Sequence, residues 1–284
     1  MLLGYTCVTV TFQYKVTKNN LIGLPLSLHQ IIETMSKLKN KVAVITGGNS
    51  GIGFGIAEAF KNEGATGAII GRNQETLDSA VAQLGDSFIA INADVTNVAD
   101  LERVFKETAE KFGKIDVIVA NAGGGAVGTV ATIGEADYDK TMDLNLKSVY
   151  FTVHKALPYI NDGGSIILIG SNAAHRAYPN FTLYGAAKAA VIFFAKAFSS
   201  DLLGRKIRAN VITPGTTDTP AFEKFVPLEQ IEAIKKHFAG EMPTGRIGQP
   251  SDIGKTAVFL ASDDSSFMLG AELLVDGGMT YLAK

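Results

Sequence analysis

From Lys41 onward the chain is punctuated by seven short apolar runs: KVAVIT, GAIIG, SFIAINA, IDVIVAN, SIILIG, IRANVIT and ELLVDGG. Each is rich in Val, Ile or Leu and too short to span a membrane, the pattern of strands buried on both faces. Between them, residues 51–62, 73–84 and 97–112 carry apolar positions at helical spacing. Strand and helix in alternation predict an α/β fold with a parallel sheet covered on both faces, because right-handed crossovers lay each helix over the sheet. The one long irregular stretch, residues 214–245, holds PGTTDTP, a helical pattern over residues 228–238, and MPTG. A connection of that length is commonly functional or mobile.

Residues 1–34 have a different character. Val8, Val10, Phe12, Tyr14 and Val16 alternate with Thr9, Thr11, Gln13 and Lys15, which is a strand period. The segment lacks the basic start and cleavage site of a signal peptide, and its apolar run is too broken for a spanning helix, so secretion is not predicted. It reads as an extension, either disordered or upstream of a mis-called start at Met35, with an added edge strand as the alternative. No linker divides residues 35–284, which read as one domain.

Composition narrows the function classes. Charged residues make up 19% of the 284 and the net charge is −2, so no general attraction to nucleic acid or anionic membrane is expected. Cys7 is the only cysteine, which excludes an intramolecular disulfide and fits a reducing, cytoplasmic setting. His29, His154, His175 and His237 show no HExxH spacing, and no metal is expected. His175 follows Ser171 closely but has no acid nearby in sequence, so it reads as a lining or surface residue.

Two segments carry chemistry. Strand KVAVIT runs into Thr46-Gly47-Gly48-Asn49-Ser50-Gly51-Ile52-Gly53, followed by a helical pattern. Glycines there permit a tight turn and close backbone approach, and a helix N-terminus offers free N–H groups to a pyrophosphate. No GK[ST] follows, which excludes a P-loop. The second segment is SNAAHRAYPNFTLYGAAK. Ser171 ends a strand, while Tyr184 and Lys188, four apart, share one helix face. A phenol titrates at about 10 and a neighbouring cation lowers that by about 1–3, so Lys188 is expected to draw Tyr184 toward phenolate.

With the NAG of residues 121–123, Asn145 in DLNLKS, PGTTDT, GRIGQPSDIG and FLASDDSSFMLGAELLVDGG, these motifs stand in one order over about residues 38–280. Together they resemble the short-chain dehydrogenase/reductase family. The resemblance implies a doubly wound, seven-stranded parallel sheet in a Rossmann-type, three-layer αβα domain, a nicotinamide cofactor, and usually a homotetramer. It implies a catalytic tetrad of Asn145, Ser171, Tyr184 and Lys188. Tyr184 would protonate the carbonyl oxygen as the cofactor delivers hydride, and Ser171 would donate a hydrogen bond to that oxygen. Lys188 would hold the nicotinamide ribose, and Asn145 would place a water linking Lys188 to solvent. Gly47, Asn49, Ser50, Gly51, Ile52 and Gly53 would cradle the pyrophosphate side, with Asn121, Ala122 and Gly123 bordering the adenosine ribose and Asp94 and Val95 near the adenine. Pro214, Gly215, Thr217 and Thr219 would contact the nicotinamide and phosphate side. For the polar members, a cap or turn role is the competing expectation.

At the end of the second strand, where an NAD site usually has Asp or Glu, stands Gly71, followed by Arg72 and Asn73. A guanidinium binds a 2′-phosphate that a carboxylate would repel, so NADP(H) is expected over NAD(H). Ala126, Val127, Ala173, Tyr178, Phe181, Phe222 and Phe225 are candidate pocket walls, which suit an apolar or mixed-polarity small carbonyl or alcohol substrate. Two alternatives stay open: a 3-oxoacyl-thioester reductase and a non-catalytic dinucleotide sensor. Val191, Ile192, Phe193, Phe194, Ala197 and Phe198 make one helix apolar on more than one face, which predicts packing on a second subunit.

Overall fold

A computed structural model of the chain describes residues 36–124, 128–224 and 227–282. The expectations for residues 1–34, and for Ala126, Val127 and Phe225, lie outside the described residues. Seven strands form one parallel sheet: β1 (Val42–Thr46), β2 (Thr66–Gly71), β3 (Phe88–Asn92), β4 (Ile115–Ala120), β5 (Ile160–Ile169), β6 (Arg208–Pro214) and β7 (Glu272–Val275), in the order β3-β2-β1-β4-β5-β6-β7. The helices are α1 (Gly51–Asn62), α2 (Gln74–Leu84), α3 (Val98–Phe112), α4 (Glu135–Met142), α5 (Ser148–Ala156), α6 (Thr182–Asp201), α7 (Ile231–Glu241) and α8 (Pro250–Ala261).

The unbroken apolar strands are explained by two cores, one on each side of the sheet. Val42 and Val44 of β1 and Ile166 and Leu168 of β5 face α3, α5 and α6, meeting Leu101, Phe105, Val153 and Val191. Their neighbours Ala43, Ile45, Ile167 and Ile169 face α1, α2 and α8, meeting Ile56, Phe60, Leu77 and Ile253. Alternation along these strands therefore assigns residues to opposite cores, and every position of β1 and β6 is buried. Removing one such Ile or Leu side chain from water is worth about 1.5–3 kcal/mol.

Two features differ from the apolar pattern. β5 begins at Ile160, earlier than its SIILIG run, because Ile160 pairs with Ile115 before the register shifts; Gly163, at φ +79, lets the exposed intervening residues loop out. Between α4 and α5 the helix widens into a π turn over Asp143–Lys147, which contains Asn145. Among the described residues no helix is long and apolar enough to cross a membrane.

With all strands parallel, the carboxyl ends of β1 to β7 line one edge of the sheet, with β1 between β2 and β4 where the strand order reverses. Ligands of such sheets bind at that crevice.

Candidate active site

The glycine turn fits a dinucleotide. Gly47 has φ +63, and a Cβ on Gly53 would lie 2.1 Å from the Gly47 carbonyl oxygen, so the turn has no room for a side chain at Gly53. Asn121 ties the turn to β4, its amide donating to the carbonyls of Thr46 at 2.8 Å and Gly47 at 3.2 Å. The Thr46 hydroxyl accepts from the Asn121 and Ala122 N–H groups. Helix α1 begins behind Ser50 with no side-chain cap and no acid in its first turn. Phe54 N–H already bonds Ser50, so the helix-starting N–H groups of Gly51, Ile52 and Gly53 are the ones available to an anion. Thr219 packs on Gly51, bringing the loop after Pro214 against the turn; Gly215 N–H bonds Val275, and Thr217 is buried with its hydroxyl on the Gly215 carbonyl.

Beyond the end of β2, Arg72 is 69% exposed and lies 3.6 Å from Asp94. Burial pushes the Asp94 carboxyl up, but the Thr96 N–H and hydroxyl, together with Arg72, outweigh it and hold the group below its ordinary range. Val95 is buried. Asn73 serves as the N-cap of α2, accepting from Thr76 N–H at 2.9 Å. Asn49 donates to the Thr76 hydroxyl and sits over Gly71, where a Cβ would lie 2.6 Å from its Oδ1.

The expected tetrad converges. The Ser171 hydroxyl accepts from Ala173 N–H at 3.2 Å, capping a short turn after β5, and acts on the Tyr184 phenol to lower its pKa. Lys188, one turn further along α6, is buried; its Nζ lies 5.7 Å from the Tyr184 ring centroid and donates to the Ile169 carbonyl at 2.8 Å. A Cβ on Gly123 would lie 3.0 Å from Asn145 Oδ1 and 3.3 Å from Lys188 Nζ, which brings the fourth member alongside. Asn145 is fully buried: its amide donates to the Gly124 and Thr141 carbonyls, and its oxygen accepts from Gly124 N–H.

The electrostatics correct one expectation. Burial pushes the Tyr184 phenol up, against a smaller lowering by the Ser171 hydrogen bond, so the protein alone holds it as phenol rather than drawing it toward phenolate. Desolvation acts on Lys188 as well, pushing it down to about 8, and its hydrogen bond goes to backbone rather than to the phenol.

Aromatic rings flank the tetrad. Tyr178 and Phe181 are edge-on at 6.5 Å, and Phe181 and Tyr184 at 6.0 Å. Asn172 donates to the Tyr178 hydroxyl at 2.9 Å, and Phe222 stands 6.2 Å from Phe238 of α7. Ala173 lies in the turn beside them. One partnership escaped the sequence reading: His175 does have an acid, Glu272 of β7, at 2.6 Å. The two are 97 residues apart, so no local spacing signals it. His154 stacks on Tyr150 and His237 meets Glu241, and no group among the described residues could hold a metal ion.

Comparison with known proteins agrees with this geometry. The family profile described as "Enoyl-(Acyl carrier protein) reductase" matches residues 47–280. "Oxidoreductase asL5" of Sarocladium schorii is 40% identical over 253 residues, spanning 88% of this chain and 100% of that protein. "Hydroxynaphthalene reductase-like protein Arp2" of Metarhizium majus is 36% identical over 261 residues, 87% of this chain and 97% of its own. A crystal structure of a "Short-chain dehydrogenase/reductase SDR:Glucose/ribitol dehydrogenase" from Brucella melitensis superposes with a TM-score of 0.80 at 32% identity, covering 87% of this chain and 99% of that one. The chain belongs to the short-chain dehydrogenase/reductase family, oxidoreductases that transfer hydride between a nicotinamide cofactor and a carbonyl/alcohol pair.

Proposed function

We propose that this chain is an NADP(H)-dependent reductase of cyclic, aryl-type ketones, with Asn145, Ser171, Tyr184 and Lys188 as its working residues. The observation that carries the reading is Tyr184 with the buried Lys188 Nζ 5.7 Å from its ring centroid and the ring of Phe181 edge-on at 6.0 Å, itself met edge-on by Tyr178. Flat aromatic walls favour a planar substrate over a charged or flexible one. The printed name of the Metarhizium relative, a hydroxynaphthalene reductase-like protein, supports the same substrate class.

When bound, the nicotinamide supplies the hydride for the carbonyl carbon. Tyr184, kept protonated by burial, donates its proton to the carbonyl oxygen, and Ser171 donates a hydrogen bond to that oxygen as charge gathers there. Lys188 remains largely charged at neutral pH and offsets the phenolate left behind. Asn145 holds the backbone of Gly124 from both sides, keeping the segment after β4 against Lys188. Residues 51–53 would hold the pyrophosphate, and Arg72, with no carboxylate at position 71, would take the 2′-phosphate. We further propose a homo-oligomer that uses the outer face of α5 and α6, where Phe193 is 66% exposed and the exposed Tyr150 meets Phe194.

Steady-state reduction of tetralone, a linear ketone and an acetoacetyl thioester, each with NADPH and NADH, tests the reading. Tetralone with NADPH is expected to give the highest kcat/KM, and Tyr184→Phe to lose about 10²–10⁴-fold in kcat with cofactor binding kept. Faster turnover of the thioester would move the assignment to acyl-thioester reduction. Full turnover by a folded Tyr184→Phe protein would remove the mechanism.

A further inference from the structure

A hydrogen-bonded cluster lies behind Ser171 that the proposed reaction does not use. His175 ends the short turn that Ser171 begins, and its Nε2 lies 2.6 Å from Glu272 Oε1. The same carboxylate oxygen accepts from the Thr213 hydroxyl at 2.5 Å. Glu272 opens β7, while Thr213 is fully buried near the end of β6. A Cβ on Gly170 would lie 2.7 Å from Thr213 Oγ1, so that hydroxyl fills the side-chain space of the residue immediately before Ser171. On the far side of the imidazole, the Tyr281 hydroxyl stands 3.5 Å from Nδ1, which suits the tautomer with its hydrogen on Nε2. One carboxylate thus joins three segments that neighbour in space but not in sequence: the β5 turn, the end of β6 and the edge strand.

Ser171 needs such support. It caps a three-residue turn, and its hydroxyl is directed by the bond it accepts from Ala173 N–H. A donor that must meet a developing charge loses effect steeply when misplaced by about 1 Å. Charge-assisted bonds from Glu272 are strong for their length, and with His175 and Glu272 side chains 24% and 22% exposed, water competes with them less than at an open surface.

We propose that Glu272 and His175 are positioning residues for Ser171: the carboxylate aims the Thr213 hydroxyl under Gly170 from one side and, through His175, anchors the end of the turn from the other. The inference rests on the reading of Ser171 as the donor to the carbonyl oxygen.

The experiment compares the parent with Glu272→Ala, Glu272→Gln and His175→Ala. Amide hydrogen exchange is followed by mass spectrometry across residues 170–178 of the full chain, and kcat and KM are measured with tetralone and NADPH. Glu272→Ala is expected to speed exchange in that segment about tenfold and to lower kcat about tenfold, with the KM for NADPH changed less than about twofold. Glu272→Gln keeps an oxygen for both donors and restores most of both properties, and His175→Ala reproduces the faster exchange. Unchanged exchange in Glu272→Ala, a kcat within about twofold of the parent, or a Gln variant no better than Ala overturns the proposal. Undiminished turnover in Tyr184→Phe defeats the reading of the reaction instead, and the exchange measurement still decides whether the carboxylate holds the turn.

Discussion

Lys188 is an ammonium buried away from water. Its pKa of about 8 in the folded chain, against an ordinary 10.5, means that the native state binds fewer protons than the unfolded state between those values. Stability therefore rises with pH across that window, and below about 8 the cost of burying the ammonium is present in full. Melting temperatures of the parent and Lys188→Met, taken from pH 7 to 10.5, should show the parent gaining on the variant above about 8. Parallel curves would mean that burial does not set this pKa. At the other end of the cleft, Arg72 should favour NADPH over NADH by roughly ten- to a hundredfold. Gly71→Asp/Arg72→Ala should move the preference toward NADH, but a side chain at position 71 meets Asn49 Oδ1 at 2.6 Å. Adding Asn49→Ala should therefore increase the gain. Dissociation constants for both cofactors, measured by fluorescence, check the order of the three proteins, and a parent that prefers NADH would refute it.

Among the elements, β6 carries an unusual load. Arg208, at its start, is buried and donates to the carbonyls of Leu260 and Ser262 at 3.2 Å and to Ser265 Oγ at 2.8 Å. A guanidinium at the carboxyl end of α8 satisfies carbonyls that the helix leaves open and faces the negative end of its dipole. Arg208→Met should cost about 1–3 kcal/mol, lowering the melting temperature by roughly 2–4 °C for each. An unchanged melting temperature would mean that the cost of burying the charge cancels its bonds. The elements themselves were legible in the amino-acid sequence because strands buried on both faces must be apolar without interruption, and all seven runs became strands in order. The early start of β5 was hidden, since Ile160 is cut off from its run by NDGG. The pairing of Tyr184 with Lys188 could be read from helical spacing, whereas the upward direction of the Tyr184 shift could not, because it comes from burial. Glu272 opened an ordinary strand run, and nothing local to it or to His175 records their meeting.

At the scale of the whole molecule, the outer face of α5 and α6 exposes the aromatic side chains of Tyr150 and Phe193. Helix α6 buries Val191, Ala195 and Phe198 against the sheet but leaves Phe193 outward. Phe193→Glu should shift the protein toward monomer by light scattering at micromolar concentration, while its far-ultraviolet circular dichroism stays unchanged. A parent that is already monomeric would refute the proposed assembly. The common direction of the seven strands has a consequence of another kind. The glycine turn, Asn121 and Ser171 follow carboxyl ends of strands and Pro214 ends β6, so the opposite edge contributes nothing to the cleft. There, Gly85 and Gly113 have open space around them, and Lys114 is exposed just ahead of β4. A molecule tethered to a solid support through Lys114 would turn its catalytic mouth to the liquid, giving the fold a handle and a working end.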